Sequence, residues 1–148
     1  ASLKHALYQI EDATRRGARL LCGGKRWGNI GSFLEPTVLA DVSEDAECMN
    51  VETFAPIAPI SSFVDENEAL SRANDSQYGL AGYAYTKDLN RALRTAEALE
   101  AGSICINTGV PTTSQCPFGG LKESGEGREL GIEGLDAFLE SKHVAIGI

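Results

Sequence analysis

Residues 56–107 read in order as strand, helix, strand, helix, strand, and this alternation constrains the fold more than any other feature of the chain. The stretch PIAPISSFV (56–64) is extended and apolar, although Pro56 and Pro59 withhold ladder donors near its start. Asp65 with Glu68 has the form of a capping box, and Ala69, Leu70 and Ala73 follow at helical spacing. LAGYAYT (80–86) has strand composition. Asp88 is an N-cap candidate for a second helix carrying Leu89, Ala92, Leu93, Ala96 and Leu99, which Gly102 stops. SICIN (103–107) then reads as a buried strand. Strands and helices in this order pair in parallel through right-handed crossovers. The expected fold class is α/β, a parallel βαβαβ sheet with flanking helices.

The flanks add elements of their own. Leu3, Ala6, Leu7, Ile10 and Ala13 fall on one helical face, Arg15 and Arg16 suit the negative end of that helix, and Gly17 can end it. ARLLC (18–22) reads as a short strand closed by Gly23 and Gly24, KRWGNIGSF as a loop or hairpin turn, and LEPTVLADV as extended, since Pro36 forbids a helix interior. The tail adds a helix around 132–141 and a final strand, HVAIGI (143–148). With 148 residues, no internal repeat and no linker-like stretch, one core is expected.

Composition narrows the function classes. A net charge of −8 argues against nucleic acid, whose binding needs clustered Lys and Arg. No apolar run approaches the length of a membrane-spanning helix, so no membrane role is expected. The N-terminal residues carry mixed charges without an uninterrupted apolar centre, unlike a secretory signal. Cys22, Cys48, Cys105 and Cys116 stand far apart, and His5 and His143 lie near opposite ends, so no metal site is expected. Reduced thiols in a cytoplasmic protein are the simplest expectation.

SQCPFGGLKESGEGRE (114–129) holds four of the sixteen glycines and invites comparison with phosphate loops. Gly120 and Gly125 have the spacing of a Walker loop, but Glu126 and Gly127 occupy its lysine and hydroxyl positions, and a carboxylate there repels phosphate. The dinucleotide fingerprint also fails, because Leu130 stands where its third glycine belongs. The glycines instead let backbone turn tightly behind Phe118, leaving Phe118 either facing a cavity or partner or anchoring a surface loop. In NVETFAP (50–56), Glu52 and Phe54 are two apart and share a face if the segment is extended. A carboxylate beside an aromatic can accept sugar hydroxyls and pack a planar ring. Spacing alone leaves open the plainer alternative of an exposed Glu and a core Phe.

Taken together, these segments resemble the aldehyde dehydrogenase superfamily. ETFAP matches its E-[TI]-F-G-P element and PFGGLKESGEGRELG its P-F-G-G-x-K-x-S-G-x-G-R-E element, while EPTVLADV, ANDSQYGLAGYAYTKDLNRALRTAEALEAGSICIN and FLESKHVAIG match in order. INTG upstream of PFGG is most similar to the succinate-semialdehyde dehydrogenases. The resemblance implies an NAD- or NADP-dependent oxidation of a small-molecule aldehyde, succinate semialdehyde to succinate, through a cysteine thiolate, hydride transfer and thioester hydrolysis. It implies that Glu52 binds the nicotinamide-side ribose, that Phe54 contacts the nicotinamide ring, and that Phe118 lines the aldehyde tunnel. A loop hydroxyl of that subfamily helps bind the substrate's distal carboxylate. Thr112, Thr113 and Ser114 are its candidates, with Thr113 the alignment choice.

The family's nucleophile lies further before this Glu than the 51 residues that precede Glu52 here, so the cysteine and the Rossmann domain are expected upstream. None of the four cysteines takes its place, Cys116 included, and no residue of the chain is expected to be catalytic. On this reading 1–142 form the C-terminal portion of the catalytic domain, inactive alone. Residues 143–148 form an oligomerisation strand of a homo-oligomer, a dimer or tetramer. The chain departs from the family at Val51, usually Glu, and at Ala55, usually Gly, the latter mattering if the backbone there needs positive φ or close approach. The rival expectation is a non-catalytic, free-standing module of the same fold used for protein association.

Overall fold

The first helix forms where the apolar spacing places it. In the computed structural model, which describes residues 2–148, α1 spans Ser2–Arg15. Ala6, Ile10 and Ala13 of the expected face are buried, and so are Gln9 and Asp12, which the apolar pattern does not include. Gly17, at φ 103, lets the chain reverse into β1 (Arg19–Cys22). β1 runs antiparallel to β2 (Thr37–Ala40), which runs parallel to β3 (Ile57–Pro59), giving a sheet of order β1-β2-β3. The short helix α2 (Glu47–Asn50) lies between β2 and β3 in sequence. Ile10, Ala13, Ala18, Leu39, Val42, Ala46 and Cys48 form the core against which Leu34, Met49 and Ile57 pack. Leu39 is fully buried, and such burial of a leucine stabilises by about 1.5–3 kcal/mol.

The chain divides into two compact units, Ala1–Val64 and Asp65–Ile148, rather than the single undivided body expected from the absence of a linker-like stretch. The second unit opens with α3 (Glu66–Asn74), capped as expected: an Asp65 carboxylate oxygen accepts from Glu68 N at 2.9 Å. β4 (Tyr78–Gly79) and β5 (Ala81–Ala84) follow. Asp88 caps α4 (Leu89–Ala98) by accepting from Arg91 N at 3.0 Å. β6 (Ser103–Ile106) pairs with β5 in parallel, Ala81 opposite Ser103 through Ala84 opposite Ile106, so β5-α4-β6 is a βαβ unit. β7 (Leu121–Lys122) pairs antiparallel with β4, and α5 (Glu133–Asp136) is the last helix. The Glu66 carboxylate on α3 takes Arg94 at 2.9 Å and Arg91 at 3.1 Å from α4, and the Arg94 bond above all holds its pKa below the ordinary carboxylate value.

The ladders differ from the expected continuous βαβαβ sheet. The strand of 56–64 is confined to β3 and bonds to β2 in the first unit, while β5 and β6 form their own pair. Pro56 and Pro59 shorten β3, because neither has an N–H to donate. The helix expected over 132–141 is confined to α5, and residues 143–148 join no ladder among the described residues. Both follow from exposure. Ile132, Leu135 and Phe138 face solvent, so no packing supports a longer helix, and Val144 and Ile146 have no neighbouring strand.

Candidate functional site

Segment 50–57 is held at both ends and open between them. Val51, the C-cap of α2, donates from its N–H to Glu47 O at 2.8 Å and accepts at its carbonyl from Gln9 Nε2 at 3.3 Å. Thr37 N donates to Pro56 O at 2.8 Å, and Ile57 then enters the β3 ladder. Between these anchors lie tight backbone turns. Ala55 N donates to Thr53 O at 2.6 Å around Phe54, and Ile57 N donates to Ala55 O at 2.8 Å around Pro56. Such i to i+2 bonds define γ-turns. The non-glycine residues with left-handed φ are Asp41, Asn107, Lys122 and Leu130, so Phe54 and Ala55 are outside that region. Ala55 therefore sits without the backbone strain that a positive φ would bring.

Glu52 is exposed and Phe54 is 82% exposed, which answers the choice left open by spacing: Phe54 is not a core residue. Burying a phenylalanine would be favourable, so an exposed ring on a fixed turn is a surface available for contact. A nicotinamide nucleotide presents ribose hydroxyls and a flat ring. An exposed carboxylate that accepts from hydroxyls, two residues from an exposed aromatic, has the acceptor and packing chemistry to hold them.

The second unit carries the other expected site residues in one loop. β6 is followed by Asn107, at φ 57, whose side chain extends the strand pair by accepting from Thr86 N at 2.9 Å and donating to Thr86 O at 2.8 Å. The chain then runs exposed through Thr112, Thr113 and Ser114, where Cys116 N donates to Thr113 O at 3.2 Å and closes a turn. Phe118 is half-buried, and its N–H and carbonyl each bond Glu129 at 2.7 Å, closing the neck of the glycine-rich loop. Inside that neck, Arg128 Nη1 donates to Gly120 O at 3.0 Å and Gly127 O at 2.7 Å. A Cβ at Gly119 would meet the backbone carbonyl oxygen of Gly127 at 2.5 Å, ahead of Arg128 Cδ at 2.7 Å, so glycine is required where the loop's own backbone closes on itself. This is the tight turning the glycines promised, with Phe118 and Glu129 paired at its neck.

Residues the sequence did not single out hold these loops. Lys122, at φ 53, donates to Asn74 O at 2.8 Å and Ser76 O at 3.1 Å and pairs with Glu100 at 2.7 Å. It thereby ties the glycine-rich loop to the last turn of α3, a favourable place for a cation. Asp12 Oδ2 accepts from Glu47 N at 3.0 Å, and Asp12 also takes Arg15 at 2.8 Å and Arg16 at 3.0 Å. The Glu47 amide first, then the two guanidiniums, lower its pKa to about 2 against the opposing effect of burial. The only signal in the sequence was a polar pair, Gln9 and Asp12, beside an apolar face. All four cysteines are free thiols; Cys22 and Cys116 are exposed, and burial first of all raises the pKa of Cys48.

Comparisons with known proteins bear on these loops. The aldehyde dehydrogenase family model matches residues 1–144. The chain is 46% identical over 139 residues to a succinate-semialdehyde dehydrogenase [NADP(+)] of Escherichia coli (strain K12), covering 94% of this chain and 29% of that protein. It is 45% identical to an aldehyde dehydrogenase 1A1 of Mesocricetus auratus, covering 94% of this chain and 28% of that protein. A crystal structure of a betaine aldehyde dehydrogenase from Staphylococcus aureus in complex with NAD+ superimposes with a TM-score of 0.90 at 39% identity, over 97% of this chain and 29% of that one. The chain thus spans under a third of the length of the relatives it matches. It belongs to the aldehyde dehydrogenase family.

Proposed function

We propose that this chain supplies the cofactor clamp and part of the aldehyde tunnel of an NAD- or NADP-dependent aldehyde dehydrogenase. Glu52 accepts the ribose hydroxyls on the nicotinamide side, and Phe54 packs against the nicotinamide ring. The observation that carries this reading is the exposed Phe54 ring, held on a γ-turn whose flanks are bonded to α1, α2 and β2. The bound nucleotide supplies the hydride acceptor; the chain's residues orient it. No nucleophile is assigned to Cys22, Cys48, Cys105 or Cys116, and the chain alone does not oxidise aldehydes. Residues 1–142 are read as part of the catalytic domain, and 143–148 as an oligomerisation strand. The location proposed is cytoplasmic.

The aldehyde proposed is succinate semialdehyde. The likeness to the Escherichia coli enzyme supports it, but the likeness to an aldehyde dehydrogenase 1A1 is nearly as great, so the choice rests on the loop before Phe118. There the Thr113 hydroxyl donates to the distal carboxylate of the substrate, and Phe118 forms the apolar wall behind it. A hydroxyl donating to a carboxylate is a charge-assisted bond. Replacing Thr113 by Val in the full-length enzyme that carries this chain raises KM for succinate semialdehyde by roughly tenfold, as the loss of a hydrogen bond to a charged group implies. Aldehydes without the second carboxylate respond little. An unchanged KM for succinate semialdehyde removes Thr113 from the site, and Thr112→Val then identifies whether its neighbour holds the role.

A further inference from the structure

α1 buries two polar side chains that its own stability does not require. Gln9 is 0% exposed and Asp12 is 2% exposed, and they stand three residues apart on one face. Burial of an amide and a carboxylate is unfavourable unless their bonds are made inside, and apolar residues would fill the same space without that penalty. The carbonyl oxygen Gln9 Oε1 in fact has no partner among the described residues. The bonds that are made reach across the sequence to one short target. Asp12 Oδ2 accepts from Glu47 N, the first residue of α2, and Gln9 Nε2 donates to Val51 O, just past its last. A four-residue helix has little stability of its own, so its direction depends on such outside bonds. Glu52 follows Val51 directly.

We propose that Gln9 and Asp12 are positioning residues for Glu52 and Phe54: by gripping both ends of α2 they set where the chain leaves that helix, and so where the Glu52 carboxylate and the Phe54 ring stand. The Glu47 amide itself, and after it the Arg15 and Arg16 guanidiniums, favour the Asp12 carboxylate. The functional consequence rests on the reading of Glu52 and Phe54 as the cofactor clamp; the structural part does not.

Two measurements test the parts separately. In the 148-residue chain, 15N relaxation of Gln9→Leu shows backbone order parameters over 51–55 falling from the rigid value near 0.85 to below about 0.6, while α1 and the β2–β3 ladder keep theirs. Unchanged order over 51–55 overturns the proposal. In the full-length dehydrogenase, fluorescence titration of the reduced nucleotide shows Gln9→Leu and Asp12→Ala weakening cofactor affinity by roughly tenfold, the scale expected of a displaced binding group. KM for the aldehyde at saturating cofactor stays unchanged. Asp12→Asn, whose amide oxygen still accepts from Glu47 N, restores most of the affinity. If Glu52→Ala weakens the cofactor and Gln9→Leu does not, or if Asp12→Asn is as damaged as Asp12→Ala, the positioning role is wrong. If Glu52→Ala itself has no effect, the clamp reading fails and the relaxation result alone decides the structural part.

Discussion

At Asp12 one carboxylate of α1 caps a helix to which it does not belong, and the amide that it accepts lies 35 positions away in sequence. That bond has a measurable consequence in acid. The Asp12 carboxyl, ordinarily near 3.8, is lowered to about 2 in the folded chain. A lowered folded pKa means that the stabilisation is complete above 3.8 and is lost as pH falls toward 2. The groups facing it are the Arg15 and Arg16 guanidiniums on α1 and the Glu47 amide and Cys48 thiol on α2. Asp12→Asn therefore flattens the fall of the urea midpoint across that window, while Glu66 and Asp88, also lowered, keep contributing in both proteins. Equal slopes for the two proteins would contradict the assignment. Local caps were legible where Asp12 was not. Asp65 and Asp88 cap the helices they immediately precede, so position in sequence identifies them. Gln9 and Asp12 act at a distance, and nothing in a helical pattern says which polar residue points inward.

At the scale of elements, the helical pattern placed α1, α3 and α4, whose apolar spacing is set by the geometry of the helix itself; Gly17 ends α1 as expected, whereas α4 ends at Ala98, with Leu99 already extended, before Gly102 is reached. Strand pairing was less legible, because a ladder partner is a property of two segments. PIAPISSFV reads as a strand of the βαβ array, yet Ile57 takes Thr37 as its partner. The two-residue pair β4–β7, which holds the base of the glycine-rich loop, is too short to leave a pattern at all. The tail 143–148 is the converse case: its alternation of Val144, Ile146 and Ile148 is strand-like, but the side chains stand exposed with no strand beside them. An unpaired edge is a template for pairing with another chain, which is the role proposed for this segment. Deleting 143–148 from the full-length enzyme lowers its mass in sedimentation velocity to that of a smaller assembly. A deletion protein that keeps the wild-type oligomeric state would show that this segment is no interface strand.

For the whole molecule, the motif-bearing loops were the most legible feature and the reason for their shape the least. ETFAP and PFGGLKESGEGRE identify the family directly, but not that Phe54 rides on a γ-turn, that Arg128 fills the space left by Gly119, or that Lys122 staples the loop to α3. Those are facts of packing between segments far apart in sequence. The account joins them into one claim: the first unit carries a cofactor clamp at Glu52 and Phe54, and the second carries a substrate loop at Thr113 and Phe118. The most direct test is the nicotinamide nucleotide dissociation constant of the full-length dehydrogenase with Glu52 replaced by Ala. The account predicts a loss of roughly tenfold or more, the effect of removing a charged acceptor from hydroxyl donors, with the thermal midpoint unchanged because Glu52 is exposed. A dissociation constant equal to that of the wild-type enzyme would contradict it.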